Sequence, residues 1–290
     1  MQTENNTAIK FNKYDATGND FILIRVESID SLSTSSFQVK DMCHRHFGIG
    51  ADGILFWSPI NAHEVAMRIF NSDGQEADMC GNGARAVVHE FVNSLHSLNS
   101  VSLKSDYQVT LHARVGSYSA VYHSSRITLI MPVTEVAKEI PLSKLPLEQL
   151  PKLPSHIYYI KVGVPHLFLY FDVLENFNDF KIDAPSIPLR HHADFSNGTN
   201  VNYVIPRTNE MGGVIPNEYN IRTFERGVEG ETLSCGTGIL SLGAVLYHLR
   251  GQKNPAVVHT KGGIVQVHAT DETIQYSGEV KRVFSGTYLI

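Results

Sequence analysis

The chain has 290 residues, of which 42% are hydrophobic and 18% charged, with a formal net charge of −5. That length is enough for one large or two ordinary domains, and the balance suits a soluble globular protein with a sizeable core. No basic patch stands out, so a nucleic-acid partner is not expected.

In chain order, the N-terminal run Met-Gln-Thr-Glu-Asn-Asn-Thr is polar and lacks the apolar core of an export signal. The longest apolar stretches, such as Leu167 to Tyr170, are far too short to span a bilayer. Three cysteines, an odd number without an export signal, point to reduced thiols in the cytoplasm. Lys10 to Arg25 reads as strand, broken at Gly18-Asn19-Asp20. Asn19 lies in the break, where a polar side chain is either a turn residue or a ligand contact. Residues 28 to 36 read as a Ser-rich loop, and Val39 to His46 as a short helix. Gly48-Ile-Gly50-Ala-Asp-Gly53 fits the dinucleotide pattern, but no strand precedes it and Ile54 to Trp57 after it reads as strand. Glu64 to Phe70 is a predicted strand.

The phrase that follows carries the chemistry. It reads Arg68-Ile-Phe-Asn71-Ser-Asp-Gly-Gln-Glu-Ala-Asp-Met-Cys80-Gly81-Asn82-Gly83. The chain later repeats it as Arg222-Thr-Phe-Glu225-Arg226-Gly-Val-Glu-Gly-Glu-Thr-Leu-Ser-Cys235-Gly236-Thr237-Gly238. Both run Arg-x-Phe, a polar loop, Cys-Gly-x-Gly and an apolar helical run. Between the copies, Val101 to Leu111, Tyr118 to Tyr122 and Ile127 to Met131 are predicted strands. Five prolines between residues 132 and 154 mark a connection. Ile157 to Val162 and Leu167 to Phe171 follow as strands, split by Gly163-Val-Pro165-His166. Gly198-Thr-Asn200-Val-Asn202 reads as a polar turn entering a strand, mirroring Gly18-Asn19-Asp20. Asn209 to Tyr219 is a predicted hairpin or loop. After the second helix come strands at Val257 to His259, Gly263 to His268, Ile274 to Glu279 and Val283 to Leu289.

Each cysteine is placed at a helix start, where N–H groups and the helix dipole favour negative charge and the thiolate form. The same N–H groups can bind a carboxylate. Two thiols and one carboxylate suit proton transfer at the carbon beside that carboxylate, one thiolate removing the proton and the other thiol returning one. Buried small residues or a disulfide are the plainer readings of two cysteines. The matched contexts favour the acid/base pair. The histidines lack metal-ligand spacing with cysteines, and no lysine sits in a recognisable cofactor site.

With these motifs the chain resembles the diaminopimelate epimerase family over nearly its whole length. The resemblance rests on Gly18-Asn-Asp-Phe21, His46-Phe-Gly-Ile-Gly-Ala-Asp-Gly53, Arg68 to Gly74 and Met79-Cys-Gly-Asn-Gly-Ala-Arg85. Gly198 to Asn202 and Glu225-Arg-Gly-Val228 to Ser234-Cys-Gly-Thr-Gly238 complete it. It implies an α+β fold of two pseudo-symmetric halves, each a strand-rich sheet around a central helix, with the site in the cleft between them. The expected halves are residues 1–131, joined by 280–290, and 132–279. Cys80 and Cys235 would be the acid/base pair, tuned by His166 and Glu225. Gly81, Asn82, Gly236 and Thr237 would hold the reacting carboxylate. Asn19, Asn71, Asn200 and Arg226 would bind the distal end of the substrate, with Glu225 beside the reacting centre. Val164 stands where the family often has an asparagine, and it offers no side-chain hydrogen bond. The resemblance further implies a cofactor-independent isomerase, commonly a homodimer, acting on an amino acid. A racemase of another specificity with the same thiols, or a binding protein on the same scaffold, are the competing functions.

Overall fold

The protein, described here from a computed structural model, is resolved into elements over residues 8–32, 36–97 and 106–289. The polar N-terminal run, residues 33–35 of the expected loop and residues 101–105 of the expected strand lie outside the described residues. The chain divides into two compact units, Met1–Ile130 with Gly278–Ile290, and Met131–Ser277.

The first unit opens with β1 (Ala8–Ala16) and β2 (Asn19–Arg25), an antiparallel pair. Its turn, Thr17-Gly18, has positive φ at both residues. Helix α1 (Ser36–Cys43) then leads to β3 (Gly53–Pro59), parallel to β2. A parallel pair needs a crossover, and α1 lies in it. β4 (Glu64–Asn71) returns antiparallel to β3, and short β5 (Glu76–Ala77) folds back on β4. Helix α2 (Gly81–Ser97) belongs to the second crossover, to β6 (Tyr107–Ala113) parallel to β4. β7 (Gly116–His123) and β8 (Arg126–Pro132) extend the sheet as hairpins.

The second unit repeats this order. Short β9 (Lys138–Glu139) edges β10 (His156–Val162), which pairs antiparallel with β11 (Val164–Tyr170). Helix α3 (Asp183–Arg190) precedes β12 (Asn200–Thr208), parallel to β11. β13 (Val214–Glu225) returns antiparallel, and β14 (Gly230–Thr232) folds back on it. Helix α4 (Gly236–Arg250) leads to β15 (Ala256–Thr260), parallel to β13, and β16 (Gly263–Ala269) pairs antiparallel with β15. β17 (Thr273–Glu279) follows. The last strand, β18 (Lys281–Leu289), pairs with β1, Ala8 lying opposite Leu289. The fold is therefore α+β, with the same sequence of pairings twice over.

Packing explains the apolar runs. Along β11, Phe168 and Tyr170 join the α4 core with Leu240, Leu242, Val245, Val258 and Val265. The alternate residues Leu167, Leu169 and, just beyond, Phe171 join the other core, with Ile182 and Leu189 near α3. A strand covered on both faces reads as continuously apolar. Helix α4 is buried without a break from Gly238 to Leu246, as expected of a helix that is apolar all round. Each large apolar side chain so buried contributes roughly 1.5–3 kcal/mol. Gly251, at φ 67°, ends the helix with an N–H bond to the Leu246 carbonyl.

Four expectations differ from the structure. Val164, Pro165 and His166 are strand, paired with Val162, Lys161 and Ile160, and only Gly163 turns. The counterpart of Gly18-Asn19 in the repeat is accordingly Gly163-Val164, where β11 begins, and not Gly198 to Asn200, which leads into the parallel strand β12. Helix α3 was not expected, because Pro185 and Pro188 disguise it. Pro185 sits in the first turn, where no N–H bond is lost. Residues 214–219, expected as hairpin or loop, already belong to β13, so the turn is confined to Asn209–Gly213.

Candidate functional site

In the first unit the polar groups gather where β2, β3 and α2 begin. Helix α2 starts at Gly81, directly after Cys80, and the Ala84 N–H closes its first turn on the Cys80 carbonyl at 2.8 Å. The N–H of Gly83 points at the Cys80 sulfur, 3.5 Å away. A run of hydrogen bonds of fixed direction passes beside that sulfur. Buried Arg85 donates to Asn82 Oδ1 at 2.9 Å and to Thr17 Oγ1 at 3.0 Å. Asn82 Nδ2 donates to Asn19 Oδ1 at 3.4 Å, and Asn19 Nδ2 donates to Asp52 Oδ2 at 2.6 Å. A cation at one end and a carboxylate at the other orient both amides. Asn19 Oδ1 is thereby presented to the Cys80 thiol, at 3.8 Å. Asp20 anchors the turn: Arg45 forks onto it at 2.8 and 3.1 Å and Lys13 at 2.5 Å. Burial raises the Asp20 pKa, but its bonds to Arg45 and Lys13 outweigh that and bring it down to about 2. Asn71 ends β4, exposed, with Gly53 opposite it.

In the second unit, Cys235 is the N-cap of α4, with extended backbone, φ −114° and ψ 107°. The Ile239 N–H closes the first turn on its carbonyl at 3.1 Å. The Cys235 sulfur lies 3.5 Å from Thr237 Oγ1, which lies 3.0 Å from His166 Nε2. His166 has no exposed surface, and burial pushes its imidazole down to about 3. The parallel register of β11 and β12 sets His166 against Asn200. Asn200 Oδ1 accepts the Arg226 N–H at 2.7 Å, tying the loop after β13 to the same group. The Arg226 guanidinium donates to the Asn197 carbonyl at 3.1 Å. Glu225 ends β13, half-buried, next to Arg226. Gly238 is needed for closeness: a Cβ there would stand 2.9 Å from Asn202 Oδ1 and 3.4 Å from His166 Cε1.

The predicted residues thus fall into two groups. Asn19, Cys80, Gly81 and Asn82 share the first, with Asn71 on the strand beside them. His166, Asn200, Arg226, Cys235, Gly236 and Thr237 share the second, with Glu225 adjoining. None of the three cysteines is in a disulfide. Cys43 is buried outside either group, and burial pushes its thiol up to about 12.

Sequence reasoning missed three things. Asp52, in the bend just before β3, orients Asn19. Asn202 contacts His166 and was quoted only as part of a motif. The third is the partner of each repeat arginine. Arg68 makes a two-pronged pair with Glu76 at 2.7 and 2.8 Å, and Arg222 does the same with Glu231 at 2.6 and 2.7 Å. Each glutamate stands four residues before its cysteine, and that shared spacing was the available signal.

The profile of the family described as diaminopimelate epimerase matches residues 11–118 and 158–283. A diaminopimelate epimerase of Methanocella arvoryzae is 33% identical over 287 residues, covering 97% of this chain and 96% of that protein. Another, from Caldanaerobacter subterraneus, is 35% identical over 290 residues, covering 96% and 98%. Among solved structures, a phenazine biosynthesis protein of the PhzF family from Enterococcus faecalis has the same fold, at TM-score 0.70 and 14% identity, covering 98% of this chain and 100% of that one.

Proposed function

The chain belongs to the diaminopimelate epimerase family, and from that premise we propose that it interconverts LL- and meso-2,6-diaminopimelate by two-base proton transfer at Cα. The observation that carries this reading is the matched placement of Cys80 and Cys235, each at the start of a helix that follows the same pairing pattern. One sulfur, as thiolate, takes the Cα proton. The other, as thiol, returns a proton to the opposite face. Gly81, Asn82, Gly236 and Thr237 hold the reacting carboxylate through the first-turn N–H groups, which lie at the positive end of the helix dipole. That carboxylate gathers charge as the carbanion forms, so fixed donors there lower the barrier. Each positioned acid or base is worth roughly 100- to 10,000-fold.

Arg226 supplies a planar fork for the distal carboxylate, with Asn19, Asn71 and Asn200 as the remaining polar contacts. Glu225 and His166 tune the thiols. Both proton transfers are accounted for by side chains of this chain, so the reaction needs no cofactor or metal. The product serves lysine and peptidoglycan precursor synthesis, in a cytoplasmic homodimer. That setting is supported by the family resemblance and by cysteines that stand outside disulfides.

The deciding measurement is Cα proton exchange in D2O, with LL- and meso-diaminopimelate and a panel of monocarboxylate amino acids. Exchange with both diaminopimelate isomers and very little with lysine is expected. Fast exchange of lysine or alanine would mean that Val164 marks a change of specificity.

A further inference from the structure

We propose that Asn202 is a positioning residue that fixes which ring nitrogen of His166 carries the proton, and so aims a hydrogen-bond relay at Cys235. This rests on the epimerase reading of the same site and deepens it. Asn202 has no exposed surface and its amide is fully committed. Its Nδ2 donates to the Leu167 carbonyl at 3.0 Å, and its Oδ1 accepts the Thr223 hydroxyl at 2.9 Å. A carbonyl only accepts, so the amide cannot be turned over without setting two carbonyl oxygens against each other. The remaining Nδ2 hydrogen therefore faces His166 Nδ1, 3.2 Å away.

A donor at that distance requires Nδ1 to be bare. The single proton of the neutral ring is then on Nε2. There it meets Thr237 Oγ1 at 3.0 Å, a hydroxyl that can accept as well as donate. Asn200 Nδ2 also approaches Nε2, at 3.3 Å, held in that orientation by the Arg226 N–H on its Oδ1. It is the longer contact, and only the hydroxyl can accommodate the ring proton. With that proton accepted, the Thr237 hydroxyl hydrogen is left to point toward the Cys235 sulfur at 3.5 Å. The relay runs one way: Asn202 to His166, His166 to Thr237, Thr237 to Cys235. Two amide donors against the two ring nitrogens also oppose an imidazolium, as does the positive charge of Arg226. A neutral ring with Nε2–H thus stabilises negative charge on Cys235 without competing for its proton.

The test uses protein labelled with 15N-histidine, the His166 signal being assigned by its loss in His166→Gln. In the wild-type enzyme His166 should show a bare Nδ1 and a protonated Nε2 from pH 5 to 8. Asn202→Asp replaces the donor by an acceptor, and should move the proton to Nδ1. Its kcat should fall by roughly a hundredfold with little change in KM, as a misaimed catalytic group does, and its pH profile should shift. Asn202→Ser, which can still donate, should recover part of the loss. A wild-type His166 protonated on Nδ1 overturns the proposal even if no variant folds. So does an Asn202→Asp enzyme with unchanged tautomer and unchanged kcat. In either case, continued exchange of both diaminopimelate isomers would leave the epimerase reading standing. Absence of exchange with those isomers would sink that reading while the tautomer is still measured.

Discussion

Cys80 and Cys235 occupy equivalent places in two copies of one motif, yet their neighbours differ. The Cys80 sulfur meets a carbonyl-type acceptor, Asn19 Oδ1, whereas the Cys235 sulfur meets a hydroxyl. On the proposed two-base reading, replacing either by alanine removes one of the two proton transfers. Cys80→Ala and Cys235→Ala should each lower turnover by several orders of magnitude while both proteins remain folded. Turnover in both directions, with far-UV circular dichroism as the folding control, checks this. The buried histidines set a second expectation. His166, at about 3, and His89, at about 4, are both held well below the ordinary value of 6.5 by burial. Their folded pKa lies below the unfolded one, so below about pH 6.5 the unfolded chain binds more protons. Stability should therefore fall as the pH drops from 6.5 toward 4, by about 2 kcal/mol per histidine at pH 5. Urea midpoints measured from pH 8 to 4.5 test the slope, and His166→Gln should flatten it.

The hairpins that precede the cysteines are the elements on which the site depends. In each, an arginine on the long strand grips a glutamate on the short one, and the glutamate's strand delivers the cysteine to its helix. The two grips differ in surroundings. Arg222 is nearly enclosed, stacks over Phe180, and also donates to the Phe177 and Phe180 carbonyls. Arg68 is about a quarter exposed. Glu231→Gln should thus cost roughly 3–5 kcal/mol, the range for breaking a buried pair. Glu76→Gln should cost about 1 kcal/mol or less. Urea unfolding resolves the two, and equal costs would show that burial does not set the strength of the pair. These hairpins also show what is legible in a sequence. Cys-Gly-x-Gly before an apolar run announces a helix start, because turn and helix signals are local. The glutamates lay in the same quoted phrases, but their role depends on register: Glu76 lies opposite Phe70, and Glu231 opposite Phe224. His166, Asn202 and Thr237 meet through a parallel pairing and a helix start far along the chain, and no local pattern records that. Helix α3 was hidden because its prolines read as breakers.

At the scale of the whole chain, the duplicated pairing order has one irregularity, and it lies at the ends. The first unit is interrupted only because β18 comes last and pairs with β1, with Ala8 opposite Leu289. The beginning and the end of the described chain are thus neighbours in one hairpin-like pair, which makes the protein a natural subject for circular permutation. A short glycine-rich linker from Leu289 to Ala8, with new ends opened between the exposed residues Thr134 and Glu135, would preserve the strand pairings described above. In the rearranged gene the first unit becomes one uninterrupted stretch, the second keeps all but residues 131–134 in one, and β1 no longer waits for the last residues to be synthesised before its partner exists. Such a permutant should fold, keep a melting temperature within a few degrees of the parent, and refold faster, because the costliest loop closure has been made local. Stopped-flow refolding of the two chains side by side would register the difference as a rate, with the native contacts unchanged.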